Sequence, residues 1–105
     1  MRLNPDFSEA LNNLAWELST STNAAVRDGP RAVTLALHAC ELTKYDKTIY
    51  LGTLAAAYAE AGKFDDAIAM AQRACDLAAE KGETDLLQRN QELLEQYRQH
   101  KKPRD

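Results

Sequence analysis

A chain of 105 residues with 45% hydrophobic and 28% charged residues can form one small globular domain and is too apolar to stay disordered. Its 13 Lys and Arg are outnumbered by 16 Asp and Glu, a net charge of −3, which excludes the broad basic surface of a nucleic-acid binder. No apolar signal segment opens the sequence and the longest unbroken apolar run, 54–59, is far too short to span a bilayer, so the expectation is a cytoplasmic protein without membrane contact.

The first predicted helix covers 6–20, where Phe7, Leu11, Leu14 and Leu18 recur at steps of four, three and four and so share one face. Pro5 suits its first turn, and Asp6 and Glu9 complement its positive end. The stretch 19–30, rich in Ser, Thr and Asn and ending Asp28-Gly29-Pro30, reads as an expanded loop. Helical spacing resumes over 30–43 with Ala32, Leu35, Ala36, Ala39, Cys40 and Leu42, capped by Asp28 or Gly29. A third helix over 47–61 carries Leu51, Leu54, Ala55 and Tyr58, and Gly62 offers the left-handed residue that ends many helices. The fourth, over 65–80, carries Ala67, Ile68, Ala71, Ala74, Cys75 and Leu77, opens on Asp65-Asp66 and closes near Gly82. The fifth, over 84–99, has a single apolar stripe of Leu86, Leu87, Leu93, Leu94 and Tyr97, followed by a basic tail over 100–105 in which Pro103 prevents continuation.

Shifting the chain against itself exposes a repeat. Ala32, Ala36, Ala39, Cys40 and Leu42 recur 35 residues later as Ala67, Ala71, Ala74, Cys75 and Leu77. Leu11, Leu14 and Ala15 recur forty residues on as Leu51, Leu54 and Ala55, the difference being the longer loop inside the first unit. The repeating unit is therefore a pair of helices, and Ala at the crossings lets the axes approach to about 8–10 Å while larger side chains fill the neighbouring holes.

In these features the chain resembles the tetratricopeptide repeat family, whose unit is about 34 residues with a W-x2-L-G-x2-Y … A-x3-F … P pattern. The second unit, 48–81, fits with Leu51, Leu54, Ala55, Tyr58, Ala67 and Ala74, while Ala71 replaces the family aromatic and Ala79 the proline. The first, 8–46, fits more loosely through Leu11, Leu14, Ala15, Leu18, Ala32, Ala36 and Ala39, and Leu3-Asn4-Pro5 looks like the end of a preceding unit. The resemblance implies an all-α chain, two antiparallel helix pairs stacked as a right-handed α-solenoid, with the fifth helix as a cap against the fourth. It also implies a concave groove lined by the first helix of each pair, here Glu9, Asn12, Asn13, Trp16 and Thr20, then Ile49, Gly52, Thr53, Ala56 and Glu60. Some family members grip a terminal carboxylate there with cations, but the matching positions hold Asn12, Trp16 and Thr53, so a ligand of basic or polar and apolar character is expected.

Single residues carry two readings each. Trp16 lies off the Phe7-Leu11-Leu14-Leu18 stripe, either as a binding anchor or packed beneath the expanded loop. Gly52 either lets a ligand backbone come close or relieves crowding between helices. Cys40 and Cys75, one repeat apart, read as core residues, and His38 as a boundary residue. The run from Arg98 to Arg104 reads as a solvated helix end, the alternative being attraction to acidic polymers or lipids. No metal-ligand spacing, phosphate loop or nucleophile motif is present, so neither enzymatic activity nor a cofactor is expected. The sequence points to a protein-interaction module that takes a peptide or a partner protein, drawn from the C-terminal part of a longer array. A structural array terminator, a homodimer formed through the uncovered Phe7 and Leu11 face, or an accessory domain of a larger enzyme are the alternatives.

Overall fold

A computed structural model describes residues 5–104, with side chains from Phe7 onward. The Leu3-Asn4 part of the expected preceding turn lies outside the described residues. The chain is all-helical, with α1 over Pro5–Thr20, α2 over Gly29–Leu42, α3 over Thr48–Glu60, α4 over Phe64–Lys81 and α5 over Thr84–Arg98. Among the described residues there is no strand.

The first loop is shorter than its composition suggests. Ser19 Oγ donates to the Ala15 carbonyl and Thr20 Oγ1 to the Trp16 carbonyl, each at 2.7 Å, so both hydroxyls are satisfied within the helix and need no loop. At the other end Asp28 accepts from the Arg31 N–H at 3.2 Å, which places Gly29 and Pro30 in the first turn of α2. The loop is thus 21–28, and it folds back on α1 through the Asp28 N–H donating to the Leu18 carbonyl at 2.9 Å.

Four helices end in one way. After α2, α3, α4 and α5 an N–H donates to a carbonyl five residues back: Tyr45 to Cys40, Lys63 to Tyr58, Glu83 to Ala78 and Lys101 to Gln96, at 2.8–2.9 Å. That bond requires a left-handed residue just before the donor. Gly62 and Gly82 supply it as the sequence predicts, with φ of +82° and +71°, whereas Lys44 and His100 adopt φ of 57° and 59° without the freedom of glycine.

Each helix packs on the next, α1 also packs on α3, and α3 touches α5, while the backbones of α2 and α4 stay apart and only their side chains join one core cluster. The odd helices therefore lie on one side and the even helices on the other, with α3 in the centre and its residues 51–57 buried without interruption. Packing between the two sides is close. A Cβ on Gly29 would lie 2.7 Å from the Ala61 backbone nitrogen, so the start of α2 meets the end of α3 as antiparallel neighbours must. The radius of gyration of 12.8 Å matches the value of about 13 Å for a packed chain of this length.

The repeated small residues are equally buried. Ala32, Ala36, Ala39 and Cys40, and their counterparts Ala67, Ala71, Ala74 and Cys75, are all buried, none more than 4% exposed. The large residues behave differently. Leu54 is 1% exposed, but its counterpart Leu14 is 41% exposed and Phe7 48% exposed, because no described helix covers the outer side of α1 and α2. The Phe7-Leu11-Leu14-Leu18 stripe is thus not the inward face of α1; Ser8, Asn12, Ala15 and Ser19 are. On α5, Leu93, Leu94 and Tyr97 bury against Ala55, Ala59, Ala67 and Ala71, so this helix closes over α4 and the end of α3. No helix among the described residues is long and apolar enough to cross a membrane.

The cations of the basic run after α5 stay exposed, as a solvated helix end predicts, but the run is also anchored to the body of the chain. Pro103 is fully buried, and Arg104 and Lys102 pair with the Glu60 carboxylate at 2.6 and 3.9 Å. His100 stacks on Phe64 at 4.8 Å between ring centres. Turning the chain back at His100 puts the apolar proline against protein and brings its two cationic neighbours to a carboxylate at the end of α3.

Candidate functional site: a cleft between the first, third and fifth helices

The odd-numbered helices border a cleft of about 400 Å³. Helix α1 contributes Asn12, Asn13 and Trp16, α3 contributes Ile49, Gly52 and Thr53, and α5 contributes Leu86, Arg89, Asn90 and Leu93. Asn12, Asn13 and Ile49 also line a second cleft of about 410 Å³, whose other walls are Glu9, Lys47, Thr48, Tyr50, Lys81 and Glu83. The two adjoin across Asn12, Asn13 and Ile49, which line both. Thr48 Oγ1 donates to Glu83 Oε1 at 2.6 Å and holds the starts of α3 and α5 together beside the second.

The residues expected in the groove divide into two groups. Asn12, Asn13, Trp16, Ile49, Gly52 and Thr53 meet at the first cleft and Glu9 stands at the second. Thr20, Ala56 and Glu60 do not line either one. Thr20 is buried and engaged with the Trp16 carbonyl, Ala56 is wholly enclosed, and Glu60 is occupied by Lys102 and Arg104 of the chain's own tail. Trp16 is half-buried, and no residue of the 21–28 loop lines the cleft it borders.

Gly52 owes its size to its own protein. A Cβ there would come within 2.9 Å of Asn90 Oδ1, so α5 fills the space that a ligand backbone would need. Asn90 is fixed in turn by donating Nδ2 to the Leu86 carbonyl at 2.8 Å. Thr53 is similarly engaged, donating to the Ile49 carbonyl at 3.1 Å. Asn12 is not: its side chain is buried, 6% exposed, and Oδ1 has no hydrogen-bond partner. An amide left in that state costs about 1–3 kcal/mol, so it demands an explanation. Above it the walls are apolar, from half-buried Trp16 and Leu86 to Ile49, which is 54% exposed.

The charge of the cleft differs from the sequence expectation. Its one charged lining residue is Arg89, and no carboxylate borders it. The sequence predicts a polar face of α5 in water, but its position beside α3 turns Arg89 and Asn90 toward the cleft. Gly52 is the available signal, since a glycine in mid-helix marks a close neighbour, though not which one.

The thiols are packing groups. Cys40 and Cys75 are free and buried, and burial pushes Cys40 up to about 11 and raises Cys75, the opposite of an activated nucleophile. Burial likewise raises Tyr97, whose hydroxyl has no partner. Phe7 meets the exposed His38 edge to face at 5.6 Å. Comparison of the chain with protein-family models, curated proteins and solved structures yields no match.

Proposed function

We propose that this chain is a non-catalytic interaction module of tetratricopeptide type, a short right-handed solenoid that takes an extended peptide or a partner's peptide segment in the cleft between α1, α3 and α5. The observation that carries this reading is the unpartnered, buried Oδ1 of Asn12, a residue that lines the cleft together with apolar Trp16, Ile49, Leu86 and Leu93. The oxygen is an acceptor that a peptide N–H would satisfy once the side chain turns outward, while Trp16, Ile49 and Leu86 offer surfaces for an apolar side chain. The solenoid assignment draws on the equal burial of the small residues spaced 35 apart.

Selection of peptides from a displayed random library tests the reading. The expected outcome is an enriched family whose binding Trp16→Ala weakens about thirtyfold, a loss of roughly 2 kcal/mol, with helicity unchanged. Failure to enrich any peptide, or full binding by the variant, contradicts it.

A second reading is self-association through the outer face of α1, favoured by the exposure of Phe7 and Leu14. Light scattering across a concentration range separates the two, since a dimer of this kind dissociates on dilution and Leu14→Glu abolishes it.

A further inference from the structure

We infer that helix α5 sets the charge of what the first cleft accepts: a peptide segment with an Asp or Glu side chain beside a large apolar one, its carboxylate paired with Arg89. This deepens the peptide reading above and rests on it. The cleft presents one charge, a guanidinium, and no carboxylate to balance it. Asp85 and Glu92 stand about one turn away on the same helix, yet Arg89 makes no ion pair with any described residue, and Glu92 instead accepts from Gln88 at 3.5 Å. Arg89 is exposed and therefore reachable from solvent. Beside it Trp16, Leu86 and Leu93 exclude water from part of the site, and a charge pair at the edge of an apolar surface is screened less than one in open solvent. Guanidinium binds carboxylate through two parallel hydrogen bonds, which adds direction to the attraction. A Lys or Arg on the ligand would meet like charge and find no partner in this cleft. A second cleft adjoins the first across Asn12, Asn13 and Ile49 and leaves room for a chain to run on past the site, so the carboxylate is assigned to a side chain rather than a chain end.

The test uses the intact chain and its one tryptophan, Trp16, as reporter. Acetylated, amidated octapeptide pools carry Leu at a fixed position and Glu, Gln or Lys at the flanking positions, and Trp16 emission is titrated against each. The expected order is Glu over Gln over Lys, with Glu and Lys separated by on the order of tenfold at low salt and less at high salt. Arg89→Glu should invert the order, and Arg89→Gln should level it, with helicity as the check that both are folded. A Gln pool bearing a free C-terminal carboxylate should gain less than the Glu pool does. Equal binding of the Glu, Gln and Lys pools, a Glu preference that survives Arg89→Glu, or a larger gain from the free terminus would overturn the assignment while leaving peptide binding intact. If no pool changes the emission and none is retained by the immobilised protein, the peptide reading falls and this inference with it.

Discussion

Two buried side-chain oxygens, Asn12 Oδ1 and the Tyr97 hydroxyl, lack a partner among the described residues, and their settings differ. Tyr97 lies in the core between α5 and the small residues of α3 and α4, and it lines neither cleft described above. Its ring does the packing. Tyr97→Phe is therefore expected to keep the fold and to raise stability by up to about 1 kcal/mol, measurable as a higher denaturation midpoint; a clear loss would show that the hydroxyl has a partner after all. Cys40 carries a pH dependence. Its thiol donates to the Tyr50 carbonyl at 3.5 Å, and burial raises it from 9.0 to about 11 in the folded chain. Below pH 9 the thiol is protonated in both states and its contribution is fully present. Between pH 9 and 11 only the unfolded thiol ionises, so stability falls, by about 1 kcal/mol at pH 10. Urea midpoints from pH 8 to 10.5 should decline less steeply in Cys40→Ala, and parallel slopes would contradict the assignment.

At the scale of the helices, the two glycines that face other elements differ in what they face. A methyl carbon on Gly29 would meet backbone, with Ala61 and Glu60 atoms within 2.7–2.9 Å, whereas one on Gly52 would meet the tip of a single side chain at 2.9 Å. Backbone cannot step aside without moving α3, but an asparagine can change rotamer. Gly29→Ala is thus expected to cost about 1–3 kcal/mol, and Gly52→Ala distinctly less, while displacing Asn90 toward the cleft. Thermal melts rank the two, and the reverse order would refute the packing described. The left-handed Lys44 offers the opposite change, since Lys44→Gly removes a steric penalty of about 1–2 kcal/mol, less the entropy glycine adds to the unfolded chain.

The whole molecule shows which of these features local sequence can encode. The five helices are legible because each carries its own apolar spacing, cap or glycine stop, and the Ala positions are legible because two hairpins repeat them. The terminations at Lys44 and His100 are not, since nothing in those residue types announces a left-handed backbone. Half of the cleft is hidden for another reason. Arg89 and Asn90 sit on a helix whose polar face looks like any solvated face, and only the approach of α5 to α3 makes that face a wall. The anchoring of the tail is hidden in the same way, because the carboxylate it meets, Glu60, is 44 residues from Arg104.

The account turns on one side chain kept polar where the fold would prefer it apolar. Asn12→Leu has nearly the same size and removes the unsatisfied amide, so paired thermal melts and peptide titrations of this variant test it most directly. The predicted result is a melting temperature higher by about 4–8 °C, as a gain near 1 kcal/mol gives in a domain of this size, together with at least tenfold weaker binding of a selected peptide. A lower melting temperature with unchanged affinity would make Asn12 an ordinary structural residue and contradict the account.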